Sequence, residues 1–398
     1  MSQGNNISTK YLVVFVVSIA VVVAAVSAGY WYIRAYVSPE NPGLHPVLAQ
    51  GIDSALQAQP ELAARQAREA LAVMELTNPY RAWAGSVLAD SLLNSATTSE
   101  QLTEAVSIMK RTLAAAQTPY SKAVAINKIA NAVFEQRSPA IDAEAFKDEP
   151  LASLRVEGDP LASFNNLVGY SLNTYPTFDA YMLFARSFAD AALASLKPGS
   201  TEPVAVTTAA NARLKQLVSN VDIYSEKARL RAEQDQAASV SSPYQITVKP
   251  WQDFWTGHVL GAAARVDSSY LNKAETALNA AAEAYDGIRD DRGNTYPILA
   301  GITVKAELAH ARLLSAVAGS SRASDIRAHL DTFTRMITGD IEQFSALHRF
   351  FEQAKTGGTI TVKDKETNNL YRSFVEYRRL AGYSPEFAAY LKSKGWDI

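Results

Sequence analysis

"PELAARQAREALAVMELTNPYRAWAGSVLADSLL", residues 60–93, is the stretch on which the fold turns. Leu62, Ala67, Ala70, Leu71 and Met74 recur at three- and four-residue spacing, which predicts an amphipathic helix over 60–76. "TNP" stops it, and "PYRAWAGSVLADSLL" (79–93) opens a second helix on proline. A loop, "NSATTS", with Ser99 as N-cap, leads to a third helix over 100–116. "TPYSKAVAINKIANAVF" (118–134) starts a fourth.

The Pro-Tyr pairs at 79–80 and 119–120 lie 40 residues apart, and each opens a helix. Further along, segments 173–193 and 294–314 share an identical "NTYP" start, separated by about three such periods. The second is preceded by "KAETALNAAAEAYDGI" (273–288), whose Ala274, Ala277 and Leu278 match Ala67, Ala70 and Leu71. A fixed period of this size marks helix hairpins that stack, because a single hairpin cannot bury its apolar face alone.

On these residues the chain resembles the tetratricopeptide repeat superfamily over 60–135 and 265–340. The small residue of the first helix stands as Ala89, Ala130 and Ala309, that of the second as Ala67, Ala105 and Ala274, and the unit-ending proline as Pro79 and Pro119. The Trp-x-x-Leu-Gly-x-x-Tyr core is missing and the "NSATTS" loop is longer than a standard turn. The expected class is therefore all-α: a helix-hairpin solenoid of this kind, or an irregular helical bundle. The resemblance implies that the first helix of each pair faces inward and offers polar side chains to a bound peptide. It nominates Asp90, Asn127, Asn131, Arg186 and His310 as groove residues.

Elsewhere the reading is coarser. "EGDPLASFNNLVGYSLN" is a helix between turns, and "KPGSTEPV" (197–204) is a break. A long helix then runs to about Ala238, with Ala210, Leu214, Leu217, Val221, Tyr224 and Ala228 as a stripe that packs within the chain or pairs two copies. "SVSSP" (239–243) ends it and bounds two repeat regions, 60–200 and 243–398, joined by the connecting helix of 201–242. "YQITVKPW" (244–251) and "GTITVKDKE" (358–366) alternate like short strands and predict a minor two-stranded β element. "SPEFAAYLKSKGW" closes the chain as a helix capped by Ser384, with Pro385 in its first turn.

The amino terminus carries a different signal. A polar leader (1–10) precedes residues 11–37, within which Tyr11 to Ile33 contain no charge, long enough to cross a hydrocarbon layer of about 30 Å. Tyr30, Trp31, Tyr32 and Arg34 form an interfacial belt at its end. A proline-rich spacer and a first short helix occupy 38–59. The expectation is a single-pass anchor in the bilayer, amino terminus cytoplasmic and the large domain outside. The competing readings are a signal peptide cut near Val26-Ser27-Ala28, and a buried core helix.

Composition narrows the chemistry. The 398 residues carry a formal charge of -2, evenly mixed, which is not the footprint of a nucleic-acid binder. With no cysteine, disulfides, thiolate nucleophiles and Cys-type metal sites are excluded. His45, His258, His310, His329 and His348 show no paired metal-ligand spacing, since Glu307-x-x-His310 occurs once where a di-iron bundle needs it twice. "DGIRDDRGN" (286–294) lacks the alternating oxygens of a calcium loop and reads as a helix breaker. No catalytic residue, metal or cofactor is expected. The sequence points to a membrane-anchored, non-enzymatic adaptor for another protein in the bacterial envelope, in assembly or secretion. Its rivals are a tethered enzyme with a site in 240–370 and a homo-oligomer built through helix 204–238.

Overall fold

The computed structural model describes residues 45–74, 78, 80–95, 99–116, 118–136, 139–195, 208–237, 245–289, 293–339 and 376–396. The anchor over 11–37, with Tyr30, Trp31, Tyr32 and Arg34, lies outside them, as do the 239–243 boundary, the 358–366 strand and His348. Among the described residues no helix is long and apolar enough to cross a membrane.

The described chain is all-α and repeat-like, with fifteen α-helices and no β-strand. They are α1 (Pro46–Leu56), α2 (Pro60–Val73), α3 (Arg81–Ser95), α4 (Ser99–Ala115), α5 (Pro119–Gln136), α6 (Pro139–Ala145), α7 (Pro160–Thr174) and α8 (Phe178–Ala194). There follow α9 (Thr208–Ala237), α10 (Gln245–Ala264), α11 (Leu271–Ala282), α12 (Ala284–Gly287), α13 (Pro297–Val317), α14 (Ala323–Thr338) and α15 (Pro385–Ser393). Seven of these begin on proline, whose fixed φ suits the first turn and whose missing N–H would have had no partner there. The caps are local as well. Asp159 and Ser384 accept from the N–H groups of Ala162 and Phe387, and His45 Nδ1 from that of Val47. The two NTYP copies start helices in different registers: Pro297 opens α13 directly, whereas after Pro176 the chain first places Thr177 as the cap of α8.

Neighbouring helices pack in sequence, α1 on α2, α2 on α3, α3 on α4 and α4 on α5. The small α6 sits on α4 and α5, and the order resumes with α7 on α8, α8 on α9 and α9 on α10. Helices α3, α5, α8, α10 and α13 also touch one another in turn and so form one layer, and α13 reaches back to α1. We call this the inner layer, since close contact between alternate helices belongs to the side of smaller radius. The predicted small residues make the close packing. Ala67, Ala89, Ala105, Ala130 and Ala274 are buried, and Ala309 is half-buried. The core passes along the array as overlapping apolar clusters, handed on through opposite faces of α8, α10 and α13.

One expectation is changed. Residues 245–251 are not a strand: they begin α10, and Thr247, Pro250, Phe254 and Gly257 go down on one helical face. Pro250 removes one backbone bond near the helix start, a cost of about 3 kcal/mol in a helix interior. Burying Phe254, Val259 and Leu260 recovers roughly 1.5–3 kcal/mol each, so packing outweighs the β propensity of Ile-Thr-Val. The only pairing of β type among the described residues is an isolated antiparallel bridge, Arg289 with Thr295. The stripe on α9 packs within the chain, the first of its two readings. Leu214, Val218, Val221, Ser225 and Ala228 are buried, and α9 packs on α8 and α10, so the surface that would pair two copies is filled from within the chain.

Glycine sets one of the closest approaches. A Cβ on Gly257 would stand 2.6 Å from Leu278 Cγ and 2.9 Å from the Leu278 backbone nitrogen, so α10 and α11 would have to separate. Gly257→Ala is expected to cost about 1–3 kcal/mol. Urea unfolding of the variant checks this, and an unchanged midpoint would contradict the packing.

Candidate functional site

Three of the five nominated residues, Asp90, Asn131 and Arg186, lie along the inner layer. Asp90 on α3 takes the Lys128 ammonium of α5 at 2.7 Å. One turn along α5, Asn131 Oδ1 accepts from Arg186 Nη1 of α8 at 2.6 Å. The Arg186 guanidinium lies 3.7 Å from the Trp255 ring centroid on α10 and 5.3 Å from that of Phe134, a cation–π stack joining three inner helices. The run continues with Trp251 of α10, which carries the Lys305 ammonium of α13 at 4.8 Å.

Asn127 is corrected from groove residue to core residue. It is 4% exposed. Its amide donates to Thr177 Oγ1 and accepts from Ser171 Oγ, both at 2.7 Å, so it is turned into the core and away from any bound peptide. The same Thr177 hydroxyl caps α8, which fixes α5 against the α7–α8 turn. His310 is likewise corrected. At 2% exposure it stacks on His329 of α14 with ring centroids 3.9 Å apart, and its Nε2 lies 3.2 Å from Glu275 Oε1 of α11. Burial first, then His329, push its pKa below the ordinary histidine range, against the pull of Glu275 and Glu307. Glu307 pairs with His329 at 2.6 Å, which ties α13 to α14 and accounts for the Glu307-x-x-His310 spacing without a metal. No group of histidines and carboxylates able to hold a metal ion occurs among the described residues.

Sequence reasoning missed three participants. Asp179, in the first turn of α8, is partly open to water, with Lys128, Asp90, Arg186 and Asp235 near it. Those desolvating surroundings raise its pKa, Lys128 and Arg186 pull it down, and Asp90 and Asp235 push it up. Trp255 and His258 were hidden by the strand reading of 244–251, although Trp251, Trp255 and His258 stand at helical spacing. The His258 pKa is pushed down to about 3, by burial first and then by Arg312 and Arg186. Arg186 thus acts on both Asp179 and His258.

The electrostatics yield a prediction here. Because the folded protein raises the Asp179 pKa, the ionised form costs stability, a cost absent below the unfolded-state pKa of about 3.9 and growing as pH rises toward the folded value. Asp179→Asn is expected to raise the melting temperature at pH 7 and leave it unchanged near pH 3. Calorimetry at the two pH values decides it.

A separate hollow of about 400 Å³ lies between α2, α3 and α4, lined by Leu71, Leu88, Ile108 and three arginines. Two of those arginines are already engaged: Arg68 pairs with Glu104, and Arg81 donates to the Leu71 and Met74 carbonyls at the end of α2. It holds none of the polar chain described above, and we place the candidate site on the inner layer. No family model, curated protein or solved structure matches this chain. The fold and the inner layer define its class as an all-α, helical-repeat-like protein.

Proposed function

We propose that this protein is a membrane-anchored, non-enzymatic adaptor whose tetratricopeptide-like inner layer binds another protein, in a setting of bacterial envelope assembly or secretion. The carrying observation is the chain of polar and aromatic groups on consecutive inner helices: Asp90 with Lys128, then Asn131 with Arg186, then Trp255. Such groups suit an extended peptide, since amides and charges fix its backbone while aromatic rings and guanidinium planes take its side chains. In this reading the uncharged run of 11–33 holds the domain at the bilayer with its amino terminus cytoplasmic. Pairing of copies through α9 is disfavoured by the intramolecular use of its stripe.

The test is site-specific photocrosslinking in intact cells, with a photoreactive residue replacing Asn131 and, as control, replacing Val73 on the exposed surface of α2. A defined partner captured at 131 and not at 73, and lost on Arg186→Glu, is the expected result. Crosslinks to bulk membrane proteins alone, equal at both positions, would sink the adaptor reading. Protease protection in spheroplasts tests the topology, and a domain resistant to external protease would reverse it.

A further inference from the structure

At the carboxyl-terminal side of the inner layer three guanidinium groups face one carboxylate. Glu376, in the helical residues 376–381, receives two hydrogen bonds from Arg312 of α13 on Oε2, from Nε at 3.0 Å and Nη2 at 2.5 Å. Its other oxygen, Oε1, accepts none. Arg265 Nη1 and Arg379 Nη2 stand 3.7 and 4.0 Å from it, near enough for attraction and too far for a hydrogen bond. Arg379 Nε and Nη1 are shut off from water with no acceptor. Arginine does not lose its proton in proteins, so three cations and one anion leave a permanent surplus of positive charge in a chain whose formal charge is -2. The cluster is not sealed: the Arg312 side chain is 36% exposed.

Buried donors without acceptors are rare in folded proteins, and a charged donor left so is rarer. Two arginines with unused hydrogen-bonding capacity beside an open edge are the arrangement that a second oxyanion completes. We infer that Arg265, Arg312 and Arg379 form a binding site for an oxyanion, a carboxylate or a phosphate group, which enters along Arg312. Glu376 orients Arg312 by the two-pronged contact, and a turn of the Arg379 side chain presents its stranded donors to the incoming group. Among the described residues Glu376 is the single acidic group paired with these arginines. This site does not depend on the adaptor reading, since a free anion would fill it as well as an acidic side chain of a bound peptide.

The full chain in detergent is melted against inorganic phosphate and, separately, against a tetraglutamate peptide, with ionic strength held by chloride. A saturable rise in melting temperature that chloride does not reproduce is expected. In Arg379→Gln and Arg265→Gln the apparent affinity should fall at least tenfold. Because these variants retain the Arg312–Glu376 contact, their melting in chloride alone reports whether they fold. A response to phosphate only assigns free phosphate as the ligand, and a response to the peptide only assigns an acidic chain. No response to either beyond chloride, or an equal response in the arginine variants, overturns the site and leaves the inner-layer adaptor reading standing, because Asn131 and Asp90 lie outside it. As an independent readout, Glu376→Ala should regain stability in formate but not in chloride.

Discussion

Glu376→Ala is expected to destabilise the protein by about 3–5 kcal/mol, the largest effect of any single substitution considered. Burial pushes the Glu376 carboxyl up, and Arg312, Arg265 and Arg379 together pull it below the ordinary glutamate range. Arg312 shows the reciprocal effect, since burial works against its charge and Glu376 more than restores it. Removing the carboxylate leaves three cations facing one another in a place poorly screened by water. It also frees helix 376–381 from α13 and from Arg265 just past α10, and Tyr377 and Leu380 of that helix belong to the same apolar cluster as Phe333 and Phe387. The converse change is mild. Arg379→Gln keeps the Arg312 contact and removes donors that have no acceptor, so a loss below about 1 kcal/mol is expected. Equilibrium urea unfolding of both variants measures the asymmetry, and equal losses would show that charge convergence is not what holds this end together.

Acid should unfold the domain through His258. Its folded-state pKa, about 3, lies well below the unfolded value of about 6.5, so folding requires the neutral ring. Above pH 6.5 neither state binds the proton and stability is full. As pH falls from 6.5 toward 3 the unfolded state alone takes it up, and stability drops by up to about 1.4 kcal/mol per pH unit. Between pH 6.5 and 4 the limit is roughly 3 kcal/mol, lessened by whatever water reaches the half-buried ring. His310, also depressed, acts in the same direction. Comparison of wild type with His258→Gln decides the matter: the variant should lose stability less steeply between pH 6.5 and 4. Parallel slopes would place the acid lability elsewhere.

These electrostatic features were largely illegible in the sequence, for a physical reason. Arg186 meets Asn131 across 55 residues and Glu376 meets Arg312 across 64, and polar pairs at such separation leave no periodic trace. Asn127 and Asn131, one helical turn apart, read as equivalent. Only the α7–α8 turn, delivering Ser171 and Thr177 to one of them, makes Asn127 structural and leaves Asn131 on the layer surface.

What the sequence determined by itself is local: where helices start, which face of each is small and apolar, and that hairpins recur. Proline in the first turn, Asp159 and Ser384 as caps, and alanines at helical spacing all act within a few residues, where backbone geometry decides the outcome. Tertiary structure alone decided that α10 is a helix despite Ile-Thr-Val and Pro250, that the α9 stripe is filled by α8, and which polar side chains face the inner layer. Those are choices between local preference and burial, and the free energy of burial depends on neighbours that the chain meets only once it has folded.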